Sequence, residues 1–537
     1  MVYSKFVSRL GGGALNLVLV HAAIGCSGSI DSRQTEATGS QIAADTTTTS
    51  ASGAPLVTVQ QGTLQGTVVN GTREFLGIPY AAPPVGNLRF APPQPPAPWT
   101  GIRQATAFGS PCPQPANPFN VPGTQSEDCL SLNVYAPSGK NLPVMVYIPG
   151  GAFVVGGSSG YDGRPLSENA HAIVVTINYR LGPLGFFSSS ALDAQRSSSQ
   201  PSGNDTIRDQ QLALQWVQAN IAAFGGNPAN VTLQGESAGS MSACLNMVSP
   251  PARALANRFI FESAACVGGL PLNTVAQSQA VSSGLAQAFC SGASDVIACL
   301  RAQSASDLVA YGANSGISGA GWAPEINSAD PVLPAHPIAL ISSGNYNKGP
   351  ILLGTNAHEW ALFQAINEAP TVTSVAQLDS VIQATFGPIA PAVEAHYTAT
   401  DATANDTYVR LMTDAVFRCP TRALARLATA QGTTAHLYSF EQGAAYHAYE
   451  LPYVFDAPNP NLGAPTLVEP LVDDMQAGLA KFYATGDPNP STRNPFWPAY
   501  DTATDINLLL VATPTTESGL SKADCDFWDS LTAPPSN

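Results

Sequence analysis

Continuous apolar runs, rather than alternating ones, mark the central part of this chain. Residues 144–148 and 173–177 are apolar at nearly every position and rich in β-branched side chains. Runs of this kind are typical of parallel strands that are buried on both faces of a sheet. Shorter runs predict further central strands at 230–234, 258–262 and 349–354.

Helices are predicted between these strands. The segment Gln210–Ala223 has apolar residues such as Leu214, Val217 and Ile221 at spacings of three and four, which indicates an amphipathic helix. Strands that alternate with helices in this way predict an α/β fold, with a large, mostly parallel, doubly wound sheet flanked by helices. Ahead of the sheet, residues 57–60 and 63–69 predict an antiparallel β-hairpin, and the proline-rich stretch 83–98 predicts a wrapped loop.

The first 26 residues resemble an export signal. Lys5 and Arg9 give a positive amino-terminal region, and the moderately apolar run Ala14–Ile24 is too short to span a bilayer. The run leads to Ala-Ile-Gly-Cys, which is similar to the bacterial lipobox and implies that Cys26 is lipidated. The alternative is ordinary secretory cleavage nearby, with Cys26 an incidental residue. We expect an exported protein, either a cell-envelope lipoprotein or a secreted one.

Residues 27–53 are mostly Ser, Thr, Ala, Gly, Asp and Gln, with almost nothing to bury. This composition predicts a disordered tether, which would hold a folded domain away from a membrane anchored through Cys26. A length of 537 residues suggests about three domains. Because no internal repeat or linker follows residue 54, we predict instead a single domain over 54–533.

The charge balance argues against a nucleic-acid partner. The net charge is −15 and charged residues make up 11% of the chain, whereas phosphate binding needs a basic face. The sequence has no His-Glu-x-x-His or paired Cys-x-x-Cys pattern. We therefore expect neither a metal nor an organic cofactor.

The segment 230–240 carries the clearest candidate chemistry. A short β-prone run precedes Gly235-Glu236-Ser237-Ala238-Gly239, which matches Gly-x-Ser-x-Gly, and helix-forming residues follow it. Strand, sharp turn and helix are the context of a nucleophile elbow, in which the glycines leave room for a strained turn. We predict that Ser237 is a nucleophile. The same pattern recurs around Ser158, but there it leads into a loop rather than a helix, which argues against a second nucleophile.

Seven short blocks follow one another in order along residues 55–533. They are Phe75–Tyr80, Leu88–Phe90, Ser126–Asn133, Gly150–Phe153, Asn178–Gly182, Phe224–Pro228 and Gly235–Gly239. In this order the set resembles the type-B carboxylesterases and lipases, the α/β-hydrolase group that includes the cholinesterases and bacterial carboxylesterases. The resemblance implies an α/β-hydrolase fold and the hydrolysis of carboxylic esters.

A serine nucleophile needs a base and a carboxylate that orients the base. In α/β-hydrolases the chain order is serine, acid, histidine. Five histidines follow Ser237, namely His336, His358, His396, His436 and His447. The segment around His447 resembles the catalytic-histidine loop of the family, whereas His436 begins a predicted strand and fits a packed residue.

The acid is assigned to Glu359 by the same resemblance. The run 351–359 reads as a strand that ends in a loop, where α/β enzymes place site residues. The family usually has Asp-Glu-Gly here, and His358 and Trp360 replace the flanking residues. Glu325 and Asp330 are the alternatives for the acid.

Acyl transfer also needs donors aimed at the oxyanion. The backbone N–H of Ala238, directly after the nucleophile, is one, and Gly151 and Ala152 match the other two donors of the family. A phosphate-binding loop is excluded because no Lys-Ser/Thr pair follows these glycines. Ala152 replaces the commoner third glycine.

Nine cysteines are present, eight of them after Cys26. The resemblance pairs Cys112 with Cys129, Cys290 with Cys299, and Cys419 with Cys525. Cys244 and Cys266 are either a fourth disulfide or two buried free thiols, and the even count in an exported protein favours the bond. The resemblance also implies structural ion pairs of Arg180 with Asp209 and of Arg89 with Glu127.

We therefore predict a monomeric serine carboxylesterase that acts on a small-molecule ester. The first disulfide loop, 113–128, has no tryptophan to hold a quaternary ammonium by cation–π attraction, so choline specificity is not expected. Phe153, Trp322 and Trp360 are expected to line an apolar pocket.

Two alternatives remain open. A lipase acting on longer-chain acylglycerols is disfavoured because the loop 113–128 is neither long nor strongly apolar. A non-catalytic, cholinesterase-like binding protein is disfavoured because Ser237, Glu359 and His447 are all present.

Overall fold

The structure is a computed structural model that describes residues 48–49, 53–116, 121–313, 321–457, 466–489 and 497–531. The predicted export signal, Cys26 and most of the predicted tether lie outside the described residues.

Strands β1 to β17 follow in chain order. They are Thr48–Thr49, Pro55–Val59, Gly62–Gln65, Thr67–Val69, Thr72–Pro79, Ile102–Gln104, Ser131–Ala136, Leu142–Ile148, Ile173–Ile177, Gly226–Glu236, Arg258–Glu262, Asn273–Thr274, Glu325–Ile326, Ile351–Asn356, Ala435–Phe440, Asn507–Leu510 and Thr515–Glu517. Eleven of them form one sheet in the order β17-β16-β15-β14-β11-β10-β8-β9-β7-β5-β4.

The middle of this sheet, from β16 to β9, is parallel throughout, and antiparallel strands extend both of its edges. The predicted central strands are therefore confirmed, and β10 is longer at both ends than the apolar run alone indicated. A small sheet, β1-β2-β3-β6, and a two-stranded sheet, β12-β13, complete the β-structure of the described residues.

Helices α1 to α17 are also numbered in chain order. They are Arg164–Asn169, Pro183–Phe186, Ser190–Asp193, Asp205–Asn220, Ala238–Val248, Val275–Cys290, Val296–Ala302, Ala305–Gly312, Pro337–Ser342, Ala361–Ala365, Val375–Phe386, Ala390–His396, Ala404–Thr413, Cys419–Ala430, Leu451–Phe455, Glu469–Thr485 and Lys522–Leu531. Short 3₁₀ turns lie at Gly86–Leu88, Ser158–Gly160, Ile221–Phe224, Pro250–Ala252, Gly387–Ile389 and Asp401–Thr403, and a π-helical turn, Asp414–Arg418, joins α13 to α14.

The two faces of the sheet carry separate apolar clusters. Val144 and Val146 of β8 belong to one cluster, and Met145 and Tyr147 belong to the other, because successive strand residues point to opposite faces. Helices α4 and α5 cover the first face, and α16 covers the second. This doubly covered sheet explains why the central strands are apolar without alternation.

The predicted hairpin is present, with one difference. Strands β2 and β3 pair antiparallel as expected, but the second predicted strand is divided at Gly66. Its later part, β4, pairs with β5 at the edge of the large sheet. At Gly66 the carbonyl oxygen of Glu74 and the aromatic ring of Phe75 occupy the space that a side chain would need, and here the chain passes from one sheet to the other.

The two ion pairs that the resemblance implied are present, one of them buried and the other partly buried. Arg180 Nη2 lies 2.7 Å from Asp209 Oδ1, and the Asp209 side chain also accepts the Arg180 backbone N–H at 3.0 Å. Arg89 Nε donates to Glu127 Oε1 at 2.7 Å. The first pair ties the loop after β9 to helix α4.

Four disulfides are present among the described cysteines. They join Cys112 to Cys129, Cys244 to Cys266, Cys290 to Cys299, and Cys419 to Cys525. The last bond ties α17 to α14.

None of the helices in the described ranges is long and apolar enough to cross a bilayer.

The Arg180–Asp209 pair gives a test of stability. We expect Asp209→Ala to lower the free energy of unfolding by about 3–5 kcal/mol, because it leaves the buried Arg180 charge without its partner. The control is Asp162→Ala. Asp162 forms an ion pair with Arg164 in which both side chains are 36% exposed, so we expect this variant to lower the free energy of unfolding by less than about 1 kcal/mol. Urea denaturation of both variants measures the difference, and equal losses would contradict this account.

Candidate active site

Ser237 occupies a sharp turn between β10 and α5. Its backbone has φ 57° and ψ −124°, a conformation that is strained for a residue with a side chain and that clusters at functional sites. The turn packs tightly on the neighbouring strand, because a Cβ atom at Gly239 would overlap the carbonyl oxygen of Ile148. The sequence Gly-x-Ser-x-Gly therefore forms an elbow here for a steric reason.

The elbow is fixed from two sides. The N–H of Ser237 donates to the carbonyl of Glu262 in β11 at 2.9 Å, and the N–H of Met241 donates to the carbonyl of Ser237 at 2.9 Å. Ala238 is the first residue of α5, so its N–H has no partner within the helix. Among the described residues the hydroxyl of Ser237 makes no hydrogen bond, and bonds between nucleophile and base often form only when substrate is bound.

His447 and Glu359 form a buried pair. Nδ1 of His447 lies 2.7 Å from Oε2 of Glu359, and Glu359 is fully buried. The other oxygen of Glu359 accepts the N–H of Asn356 at 2.7 Å, at the end of β14. Because Nδ1 is engaged, Nε2 is left as the nitrogen for proton transfer.

Glu236, the residue before Ser237, adds a second carboxylate to this histidine. Its Oε1 lies 3.1 Å from His447 Nε2, although the geometry is not that of a hydrogen bond. Burial lowers the pKa of His447, but the negative charges of Glu236 and Glu359 outweigh it and raise that pKa to about 9. Burial also raises the pKa of Glu236 to about 8, while His447 opposes the shift. The imidazole and this carboxyl are thus electrostatically linked.

Two further buried carboxyl groups lie behind this pair. Glu450 accepts hydrogen bonds from Ser263 Oγ at 3.3 Å and from Asn356 Nδ2 at 2.5 Å. Burial raises the pKa of Glu450 to about 7 and raises that of Glu262 well above its usual range. Burial thus favours the protonated forms of both groups, and Glu450, when it is ionised, adds a negative charge that stabilises the imidazolium of His447.

Aromatic rings cover the sides of the histidine. The ring centroids of Phe417 and Phe363 lie 4.8 and 5.3 Å from that of His447. Trp360 stacks on Phe363 at 4.8 Å and is 6% exposed. Trp360 has φ −68°, an ordinary helical value, so the position that is usually Gly in the family accommodates a large side chain here without backbone strain.

The loop after β8 lies against the elbow. A Cβ atom at Gly150 would lie 3.1 Å from Cβ of Ser237. The N–H groups of Val154 and Val155 both donate to the carbonyl of Gly151 at 3.0 Å. In the part of the chain that the structure describes, no hydrogen bond uses the N–H groups of Gly151, Ala152 or Ala238. These groups remain available to a ligand.

The alternative candidates lie elsewhere. Asp330 accepts from Asn204 Nδ2 at 2.9 Å and from Arg208 Nη2 at 2.7 Å, and Asn204 Nδ2 also donates to the carbonyl of Glu325. Ser158 is buried, and its hydroxyl accepts from Asn133 at 3.1 Å. These contacts are those of structural residues.

The expected pocket residues belong to more than one apolar cluster, and their place in a substrate pocket stays a prediction. Phe153 and Trp322 belong to the apolar cluster on one face of the sheet, whereas Trp360 belongs to a third cluster, around α11–α13. The rings beside His447 are instead those of Phe363 and Phe417, which sequence reasoning missed. Sequence reasoning also missed Glu236, although this residue is part of the elbow motif. Its position beside the nucleophile was the signal that could have indicated a role.

Comparison with known proteins identifies the family. The model of the carboxylesterase family matches residues 53–528. The chain is 37% identical to para-nitrobenzyl esterase of Bacillus subtilis (strain 168), over 86% of this chain and 96% of that protein. It is 33% identical to acylcarnitine hydrolase of Mus musculus, over 88% and 90% of the two chains, and 31% identical to carboxylesterase 1E of Mus musculus, over 89% and 94%. The resemblance drawn from the sequence is confirmed: the chain belongs to the carboxylesterase family, has its α/β-hydrolase fold, and is a serine esterase that hydrolyses carboxylic esters.

Proposed function

We propose that Ser237, His447 and Glu359 carry out this hydrolysis through an acyl-enzyme on Ser237. The observation that carries the proposal is the 2.7 Å contact of His447 Nδ1 with the buried Glu359 carboxylate. The Nε2 atom of the same ring lies 3.1 Å from Glu236, the residue before a serine held at φ 57° in a strand–turn–helix elbow. The contact fixes the imidazole so that Nε2 serves as the base.

The first half of the reaction forms the acyl-enzyme. His447 Nε2 takes the proton of Ser237 as its Oγ attacks the ester carbonyl, and a tetrahedral intermediate forms. The N–H groups of Gly151, Ala152 and Ala238 stabilise the oxyanion of that intermediate. The C–O bond to the alcohol then breaks, and His447 gives its proton to the leaving alcohol.

The second half repeats these steps with water. His447 takes a proton from water as the water oxygen attacks the acyl carbon, and the intermediate collapses with return of that proton to Ser237 Oγ. The products are the free acid and the enzyme. The negative charges of Glu236 and Glu359 stabilise the imidazolium in both halves, and their effect on the pKa of His447 supports this role.

The substrate class follows from the relatives only in outline. One relative is named for a para-nitrobenzyl ester and another for acylcarnitine, which supports small-molecule esters rather than one defined compound.

We also propose a monomer. Lipase action on long-chain acylglycerols is the alternative that the function experiment decides.

Export is supported by the four disulfides, which persist in oxidising compartments. We propose the lipoprotein form, in which the signal segment 1–26 is cleaved before Cys26 and Cys26 is the lipidated first mature residue. Residues 27–53, of which Thr48 and Thr49 pair with β2, would then tether the domain 54–533. Mass spectrometry of the mature amino terminus tests it. An acylated Cys26 is the expected result, and a free amino terminus at another residue indicates ordinary secretory cleavage.

The function experiment compares the wild-type protein with Ser237→Ala. We expect hydrolysis of p-nitrophenyl esters to fall about 10⁶-fold in kcat, the loss that removal of the nucleophile causes in another serine hydrolase. Acid quenching during turnover is expected to leave the acyl group on Ser237. An optimum at short acyl chains supports the esterase, and an optimum at long chains with interfacial activation supports the lipase.

Ser158→Ala is the matched control, because Ser158 lies in the second Gly-x-Ser-x-Gly match and is hydrogen-bonded to Asn133. Activity that survives in Ser237→Ala, or an acyl group found on Ser158, would contradict the assignment. A folded wild type without activity would instead support the binding-protein alternative.

The pH dependence tests the electrostatic link to Glu236. Glu236→Gln removes a negative charge beside His447, so the pKa of His447 falls and its base form is present at lower pH. We therefore expect the acidic limb of the kcat/KM profile to move to lower pH by about one unit or more, the size of shift that a nearby charge produces.

The control for this variant is Glu517→Gln, since Glu517 is exposed on β17. We expect its profile to match that of the wild type. An acidic limb that stays in place or moves to higher pH in Glu236→Gln would show that the carboxyl does not set the pKa of His447.

A further inference from the structure

The oxyanion loop, residues 149–157, has almost no regular structure of its own. It follows β8 and contains Gly151 and Ala152, both with positive φ, at 110° and 53°. Preorganised donors must be held before the charge develops, because their catalytic value lies in needing no rearrangement. Val154 and Val155 bond to Gly151 within the loop, and contacts from outside hold its two ends.

The start of the loop is held by a tyrosine. The hydroxyl of Tyr179 donates to the carbonyl of Pro149 at 2.5 Å. The far end is held by residues of the first disulfide loop, which the bond between Cys112 and Cys129 closes. Gln114 in that loop is 4% exposed.

Gln114 binds one residue of the oxyanion loop through both ends of its amide. Its Oε1 accepts the N–H of Gly156 at 3.0 Å, and its Nε2 donates to the carbonyl of the same residue at 3.0 Å. Nε2 also donates to the carbonyl of Cys112 at 3.1 Å. The side chain thus pairs with Gly156 as a neighbouring strand would, and it fixes both the position and the orientation of that residue.

Gly156 in turn contacts the part of the loop that faces the nucleophile. A Cβ atom at Gly156, which has φ 110°, would overlap the carbonyl oxygen of Gly150. Gly150 itself lies against Cβ of Ser237, and Gly151 follows it. A displacement of Gly156 therefore moves the two donor residues relative to the serine.

A second contact joins the same two loops. The hydroxyl of Ser159 donates to the carbonyl of Pro122 at 2.9 Å. Ser159 lies just beyond the oxyanion loop and is partly exposed. Its hydrogen bond therefore holds the loop less firmly than the buried amide of Gln114 does. Among the described hydrogen bonds between the two loops, those of Gln114 are the most extensive.

We propose that Gln114 is a positioning residue of the oxyanion hole: through Gly156 it holds Gly151 and Ala152 at the distance from Ser237 that stabilises the tetrahedral intermediate. The proposal rests on the proposed function, since it concerns the same site. It assigns to the first disulfide loop a part in transition-state stabilisation, in addition to any contact with substrate.

The test uses Gln114→Met, which keeps the length of the side chain and removes its amide. We expect kcat to fall by about 10- to 100-fold, less than or similar to the loss of a whole donor, with KM within about threefold of wild type. A trifluoromethyl ketone, which forms a tetrahedral oxyanion adduct with the serine, is expected to bind more weakly by a factor similar to the loss in kcat.

The matched control is Gln94→Met. Gln94 is exposed and lies outside the disulfide loop; its side-chain amide donates to the carbonyl of Pro92 at 3.1 Å, and among the described contacts it has no bond to Gln114 or to the oxyanion loop. We expect its kcat and ketone affinity to be close to those of the wild type.

Titration of active serines with a fluorophosphonate corrects every rate for misfolded protein.

Gln114→Glu gives an independent reading if the methionine variant does not fold. An ionised carboxylate still accepts from Gly156 N–H but repels the carbonyl oxygens of Gly156 and Cys112. A protonated carboxyl restores one donor and one acceptor, as in the amide. The ratio of its kcat to that of wild type is therefore expected to rise as pH is lowered.

Unchanged kcat in Gln114→Met, a loss explained by fewer titratable serines, or a rise in KM without a fall in kcat would overturn the proposal. So would a pH-independent ratio for Gln114→Glu. Failure of the proposed function is separate, because it appears as an inactive wild type or an active Ser237→Ala, whatever the result at Gln114.

Discussion

The buried imidazole of His447, held between two carboxylates, is the interaction on which the site depends. Glu359 binds Nδ1 at 2.7 Å, and Glu236 lies 3.1 Å from Nε2. Burial alone would disfavour the imidazolium that proton transfer creates, and the two negative charges reverse that effect. The site therefore keeps water away from His447, and its carboxylates stabilise the positive charge that proton transfer places on the imidazole. The same charges make the base harder to deprotonate, so the activity of the enzyme is tied to pH.

Sheet topology brings the remaining parts to this histidine. Strands β8 and β10 are hydrogen-bonded neighbours that run parallel, so the oxyanion loop after one and the elbow after the other emerge at the same edge of the sheet. Strand β14 lies two places further along the sheet and delivers Glu359 at that edge. Gly239 packs tightly on Ile148, and Gly150 packs on Ser237, so the oxyanion loop and the elbow are in direct contact. The loops are irregular, but each is anchored by buried hydrogen bonds to its surroundings.

Much of the fold could be predicted because buried parallel strands have a simple pattern. The runs at 144–148 and 173–177 lie within β8 and β9, and Gly-x-Ser-x-Gly indicated the elbow through its steric requirements. The contacts of Glu236 with His447 and of Gln114 with Gly156 could not be predicted, because they join residues far apart in the chain and leave no periodic signal. The division of the hairpin at Gly66 was missed for a similar reason, since Gly66 is in close contact with Glu74 and Phe75 of another strand.

The measurement that tests the account most directly is the kcat of Glu359→Gln beside that of Glu325→Gln. The substitution at Glu359 keeps the shape of the side chain but removes the charge that orients and stabilises the imidazole. We expect kcat to fall by about 10⁴-fold, as when the aspartate of another serine triad is replaced by its amide. Glu325 is equally buried, but its carboxylate accepts from Asn327 Nδ2 at 3.1 Å instead of contacting His447, so its variant is expected to retain the kcat of the wild type. Full activity in Glu359→Gln, or an equal loss in Glu325→Gln, would contradict the assignment of the acid.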